Sequence, residues 1–416
     1  MHRNSSGKTL IRLLTALLLT SCGDAYAQAL PSAVELAPTS PSTGLFGTSV
    51  MVTGGTAVVG ATFEAANGGL GSGAAYVYAR SGTGWAPPQR LTASDGSSND
   101  FFGGWAELVG NQLLISAFGH GPAAGPKPGA VYIFQRNGGS WVESGKLVPP
   151  VAVAGASYGQ RMALNERFLL VNGQGLGGQR IVHVLEPSAN SWVQTSTITN
   201  PGDGNFGSHI ALWQGTAVVG ANTASNGGGV ASGAAWVFDR AGSSFAQTIK
   251  LTASDGAFND SFGYAVSIWG ERVVVGAHLD NEGAQTDRGA VYVFEKGASG
   301  WAQVAKLQAP DGAGVDEFGK DVRICGDRII VGAPRRDEGG NVDQGAIYRF
   351  DRIGSVWTFG EKRTLAPPGR SNAFFGDHLS VDAEHLVAGA PFINSAFGFV
   401  GGCNVQAIYR NGFENP

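Results

Sequence analysis

One segment recurs seven times along these 416 residues, and no other feature restricts the fold so tightly. It opens on an aromatic-glycine pair: Phe46-Gly47, Phe102-Gly103, Tyr158-Gly159, Phe206-Gly207, Phe262-Gly263, Phe318-Gly319 and Phe375-Gly376. Successive pairs stand 56, 56, 48, 56, 56 and 57 residues apart. A period held that regularly means one supersecondary unit copied and stacked.

Each unit reads as four short strands. An alternating run follows the pair, as in Tyr264-Ala265-Val266-Ser267-Ile268, and a tight turn closes it at Trp269-Gly270-Glu271. A β-branched run then ends in Gly-Ala, as at Val273-Val274-Val275-Gly276-Ala277. After a polar loop comes a third strand, Gly289-Ala290-Val291-Tyr292-Val293-Phe294, and a fourth begins at an aromatic residue such as Trp301. Runs of this kind between glycine turns are strand signals, and no stretch beyond the first residues keeps a helical period. Four strands per unit, repeated radially, predict an all-β, seven-bladed β-propeller. The seventh unit runs out near Ile408-Tyr409 without a fourth strand. Leu36 precedes Phe46 by ten residues, as Leu365 precedes Phe375. The segment around Leu36 is therefore expected to supply the outer strand of the last blade, which closes the ring and removes an open edge.

The units resemble FG-GAP repeats, the bacterial relatives of the integrin α-chain propeller. The resemblance rests on the Phe-Gly pairs, on Gly332-Ala333-Pro334 and Gly389-Ala390-Pro391, and on the linker Leu-Thr-Ala-Ser-Asp-Gly at 91–96 and 251–256. It covers about residues 36–409 and implies the fold far more firmly than an activity, since superfolds host many functions. Integrin-type repeats carry Asp-rich calcium loops before Gly-Ala-Pro. Here the matching intervals, 268–275 and 324–331, are short and mostly apolar, so no metal and no cofactor is expected.

Charged residues make up 14% of the chain, against about 25% in ordinary domains. A net charge of −4 gives no basic footprint for nucleic acid. Residues 1–27 read as a targeting signal, with Arg3, Lys8 and Arg12 ahead of the apolar run 13–19. Two processing patterns stand side by side: Leu19-Thr20-Ser21-Cys22, which resembles a lipobox and would leave a lipid on Cys22, and Ala25-Tyr26-Ala27. Either one implies export, as a secreted, periplasmic or outer-membrane-anchored protein. Residues 28–410 then form the propeller and 411–416 a short tail. Cys325 is expected at a first-to-second strand turn and Cys403 near the start of a third strand. Those are opposite ends of a blade, so a disulfide between them is not expected.

The loops between strands two and three and the linkers between blades share one end of the ring. This long-loop end is the default functional face. Three feature sets lie on it. The linkers pair Asp95 with Asp100, Asp255 with Asp260 and Asp311 with Asp316; a shared cation is one use, turn chemistry the expected one. The second residue after each pair shares one side of the inner strand: Ser49, Trp105, Arg161, His209, Ala265, Asp321 and His378. Trp105, Arg161, His209, Asp321 and His378 there suit an anionic or sugar-like ligand, or acid-base chemistry. Mutually paired polar groups in a hydrated channel are the plainer expectation. Lastly, His278, Asp280, Glu282 and Asp287 are placed to ligate a metal, and Arg335 and Arg336 to clamp an anion. Solvated surface charge is the expectation for both loops.

No Gly-x-Ser-x-Gly, His-Glu-x-x-His or phosphate-loop motif occurs, and no catalytic residue is assigned. The sequence thus predicts a monomeric, exported binding or adhesion module whose partner is an extracellular protein or glycan. It meets the membrane only through a lipid on Cys22. The alternative is an exported polysaccharide-acting propeller enzyme with its site at the channel mouth.

Overall fold

The computed structural model describes residues 33–403, apart from 40–43, 67–68, 123–124, 203, 227–229 and 366–369. Seven antiparallel sheets follow one another along the chain, each an up-and-down meander. Blade two is representative: strands Phe102–Val109, Gln112–Ala117, Ala130–Asn137 and Ser140–Leu147 run from the channel outward. In blade one the outer strand breaks into Gly84–Trp85 and Gln89–Leu91, because Pro87 and Pro88 cannot donate to a ladder. Among the described residues there is no α-helix; only two short 3₁₀ turns occur, Leu176–Gly178 and Pro391–Ile393.

The ring closes as the repeat register requires. Val34–Leu36 pairs with Ser395–Val400 in the last sheet, with Glu35 opposite Phe397 and Leu36 opposite Ala396. Glu35 also accepts hydrogen bonds from the Ser395 hydroxyl (2.5 Å) and Arg370 (3.1 Å). The unit predicted to end near Ile408-Tyr409 is more compact than expected. Its second and third strands are joined only by the turn Pro391–Ile393 and Asn394, whose left-handed backbone (φ 52°) reverses the chain at once. Ile408 and Tyr409 lie outside the described residues.

That shortening overturns the expectation for the cysteines. Cys403 follows the third strand of blade seven instead of preceding it, and so reaches the end of the ring where Cys325 closes the first strand of blade six. The two form a disulfide with Cα atoms 5.6 Å apart, within the ordinary range. It fastens the closing blade to its neighbour.

The core is a ring of seven clusters, each straddling two neighbouring blades. The aromatic residue of each pair is its centre. Phe262 is fully buried and meets Tyr292 and Phe294 edge-on, with centroids 5.4 and 6.0 Å away. Phe102, Phe206, Phe318 and Phe375 repeat the arrangement. Edge-to-face geometry suits the aromatic quadrupole, and truncating such a residue costs about 3–5 kcal/mol.

The two recurrent glycines explain each other. A Cβ on Gly276 would lie 2.1 Å from the carbonyl oxygen of Gly319 in the next blade. Gly60 stands in the same way against Gly103, Gly220 against Gly263, and Gly332 against Gly376. Gly389 meets Gly47 likewise, so the closing interface has the geometry of the others. The motif is thus the backbone contact between blades. Only glycine lets the strands approach this closely.

Candidate functional site

The pair glycines take left-handed backbone (Gly103 φ 90°, Gly263 φ 88°, Gly319 φ 94°); in blades one, two and four the ladder shifts register just after them, and in blades five, six and seven the inner strand begins only at Ala265, Val322 and Leu379. A bulge of this kind re-aims the residues that follow. Both the first and the second residue after the pair therefore reach the long-loop mouth of the channel. One small cavity of about 40 Å³ is lined by Trp105, Arg161, His209, Asp321 and His378, together with Tyr264, Lys320 and Asp377. The five residues singled out in the sequence do converge. The other three were missed, because strict alternation places the first position on the opposite side.

Most of these groups are already engaged. Asp321 accepts hydrogen bonds from the Val322 amide (2.8 Å), from Arg323 (2.6 Å) and from the Leu379 amide of blade seven (2.8 Å). His378 Nδ1 lies 3.0 Å from Asp377 Oδ2. Burial works against the Asp377 charge, but His378, Lys320 and Arg161 outweigh it and hold the carboxyl below the usual range. Lys320 pairs with Glu317 at 2.8 Å and stands 4.7 Å over the Tyr264 ring. The Arg161 guanidinium lies 5.0 Å over Trp105 and donates to the Gln160 carbonyl (2.9 Å).

His209 is the exception. It is 5% exposed, its edge faces Trp105 at 5.5 Å, and neither ring nitrogen has a partner among the described residues. Burial first, then Arg323, Arg161 and His378, push its pKa well below the ordinary histidine value, so the ring stays neutral. A cavity of 40 Å³ holds a few water molecules and falls far short of the several hundred Å³ of a ligand pocket. The arrangement is a polar plug in the mouth.

The linker aspartates are structural. Asp100, Asp260 and Asp316 each accept the amide three residues earlier, from Ser97 (2.8 Å), Ala257 (2.6 Å) and Ala313 (2.7 Å). Asp95, Asp255 and Asp311 each take a tyrosine hydroxyl and a lysine from the following blade, as Asp95 does with Tyr132 and Lys146, both at 2.6 Å. The third set departs from expectation. His278 and Asp280 are buried, not solvated: His278 packs 4.1 Å from Tyr264, and burial then Lys320 lower its pKa to about 3. Asp280 joins Tyr292 (2.8 Å) and Lys306 (3.1 Å) in the blade-five network. Glu282 pairs with Arg288, and the Asp287 amide is bound by Asn281. Among the described residues no group of three metal-ligating side chains forms. Arg336 reaches Asp316 (3.3 Å) and Asp311 (3.4 Å), while Arg335 binds Glu317 (2.9 Å) and covers Phe374 at 5.5 Å. Neither arginine lines the mouth cavity.

Below the plug the channel widens to about 320 Å³, walled by the inner strands of all seven blades. Trp105 and His209 border both spaces. The sequence reading stopped one ring short of its two charged residues, Glu107 and Arg323, which stand four positions after their glycines.

The long-loop end carries several exposed apolar side chains. Leu70, Phe258, Phe392 and Val342 stand there 56–74% exposed, with Phe63, Val230 and Val315 beside them. Phe63, Phe101 and Phe118 form an aromatic row with centroids 5.2 and 5.1 Å apart, and Phe374 meets Phe392 at 4.6 Å. Phe101 and Phe374 hold left-handed backbone (φ 56° and 53°), uncommon for such residues and fixed by the surrounding fold.

The family model of the FG-GAP repeat matches residues 42–78, 85–134, 245–294 and 301–350. The three longer matches each start in the outer strand of one blade and run through three strands of the next. No curated protein matches the chain in sequence. Among solved structures, it is similar to a chain of the mitotic checkpoint complex, with 12% identity over 90% of this chain and 95% of that one and a TM-score of 0.53. A Bacteroides uniformis protein assigned as a 6-phosphogluconolactonase is similar at 10% identity over 77% and 85%, with a TM-score of 0.51. At such identities the likeness is one of fold alone.

Proposed function

The chain is an FG-GAP repeat β-propeller protein, and from that premise we propose that it serves as an exported, non-enzymatic binding module offering its long-loop face to an extracellular protein or glycan. One observation carries this reading. Large apolar side chains, Phe258, Leu70 and Phe392 foremost, stand exposed on that face, which also carries the Phe63–Phe101–Phe118 row and the Phe374–Phe392 pair, and exposed apolar surface supports an interaction site. The water-sized cavity at the mouth and the saturated Asp321 favour binding over turnover there. The Cys325–Cys403 disulfide supports export, since such bonds persist in oxidising compartments.

The test is adhesion of the purified, labelled protein to immobilised polysaccharides and extracellular proteins. Replacing Leu70, Phe258 and Phe392 together by serine should abolish it with the melting temperature unchanged. His378→Asn should leave it intact. A second reading, a polysaccharide-acting enzyme, is favoured by the convergence of Arg161, His209, Asp321 and the His378–Asp377 pair. Polysaccharide turnover that His378→Asn removes would replace the module reading with that one.

A further inference from the structure

The channel beneath the plug is a site of its own. Its volume of about 320 Å³ lies in the range of small-molecule pockets. Alternation turns the fourth residue after each pair glycine toward it, and most of these are small or apolar. Ser380 and Ser267 are occupied, accepting the Val52 and Ile324 amides from the inner strand of the neighbouring blade (2.9 and 3.1 Å). Arg323 is neutralised by Asp321 at 2.6 Å. Glu107 is left over. Its one hydrogen bond comes from Trp105 Nε1 (2.9 Å), and among the described residues no cation stands within ion-pair distance. At the far end of the same channel, the half-buried rings of Trp213 and Trp269 pack with centroids 4.1 Å apart.

We propose that the channel binds a small organic ammonium ion, with the cation on the Glu107 carboxylate and the apolar body directed toward Trp213 and Trp269. Three observations select this chemistry. A carboxylate facing a cavity without a counter-charge is stabilised by any cation that reaches it. A single carboxylate falls far short of the six to eight oxygens that a calcium ion takes. Aromatic rings with apolar walls suit the alkyl body of such an ion, which buries its chain there. The polar plug stands at the long-loop mouth, so the proposed route in is from the turn end, and this site is independent of the binding surface proposed above.

Burial pushes the Glu107 carboxyl up to about 7, against the pull of the Trp105 N–H and of Arg323. The other groups bordering this space are the Asp321–Arg323 pair and the neutral His209. An arriving ammonium favours the ionised carboxylate, so binding near pH 7 releases protons.

Calorimetric titration of the full chain with butylammonium, in two buffers of different ionisation enthalpy, tests this. The expected result is saturable binding with proton release near pH 7. Butan-1-ol should bind more weakly by about tenfold or more, and Glu107→Gln, which keeps an acceptor for Trp105, should weaken the amine by about tenfold or more. Ala211→Phe, which fills the channel and keeps the carboxylate, should block binding as well and serves if Glu107→Gln fails to fold. Absence of saturable amine binding at millimolar concentration overturns the proposal. So does equal affinity for the alcohol, or undiminished affinity in the folded variants.

Discussion

Blade five carries a charge arrangement that its sister blades avoid, and replacing Asp260 by asparagine should expose the cost. In blade two the linker carboxylate Asp100 is met by His120 at 2.8 Å, and in blade six Asp316 is met by Arg336 at 3.3 Å. The equivalent position in blade five is Asp280, a like charge. Lys306 serves Asp255 (2.7 Å) and Asp280 (3.1 Å), while Asp260 Oδ1 has no partner at 1% exposure. Burial, and next among the raising causes the Asp280 charge, lift the Asp260 carboxyl to about 6 from an unfolded value of 3.8. A raised folded pKa contributes stability that is fully present below the unfolded value and is lost as pH climbs through the folded one. A shift of about two units corresponds to about 3 kcal/mol. The wild type should therefore lose about that much between pH 4 and pH 7.5 through this one group. Asp260→Asn keeps the acceptor for the Ala257 amide and cannot ionise. Urea unfolding of both proteins across this pH range reads the difference directly. The variant should match the wild type near pH 4 and exceed it by up to about 3 kcal/mol at pH 7.5. A variant that is less stable at pH 7.5, or a difference that does not change with pH, refutes the argument.

Further outcomes follow from the ring itself. Reducing the Cys325–Cys403 bond, which spans 78 residues, should lower stability by about 4.5 kcal/mol on the loop-entropy estimate, read as a drop in melting temperature with reductant. Leu36→Ala, at 2% exposure in the closing strand, should cost about 3 kcal/mol and make the first-to-last blade junction the earliest site of limited proteolysis. Gly276→Ala should cost about 1–3 kcal/mol, because its Cβ meets a backbone carbonyl at 2.1 Å that can retreat only by separating two blades. Gly270→Ala, where the added atom meets nothing but φ is 58°, should cost less. Urea midpoints of the two glycine variants decide between them.

The blade count, the strand order and the closing segment were legible because the pattern at Phe46 repeats six more times, and Leu36 falls in its phase. The convergence of Trp105, Arg161, His209, Asp321 and His378 was legible from strand alternation. Tyr264, Lys320 and Asp377 were not, because in their blades the chain joins the ladder only after them, at Ala265, Val322 and Leu379, so strand alternation does not govern them. Glu107 and Arg323 look unremarkable in their own repeats and gain meaning only when seven strands face one axis. Cys403 was misplaced because Asn394 turns the chain in blade seven where other blades spend a long loop. Asp280 and Arg336 look like surface charge in sequence; Asp280 is drawn in by Tyr292 and Lys306 on the two following strands, and Arg336 by Asp311 and Asp316 of the preceding linker.

The pairing of Val34–Leu36 with Ser395–Val400 sets an order of events. A chain made or threaded from its amino end presents this strand first, and its partner about 360 residues later. Six interfaces can form by local addition, each blade docking on the one before. The seventh has to wait for the whole chain, since the contact of largest sequence separation comes last. Until then the ring is an open arc with two unsatisfied blade faces, Gly47 at one end and Gly389 at the other. That interval, rather than the finished propeller, is when the protein is most exposed to aggregation.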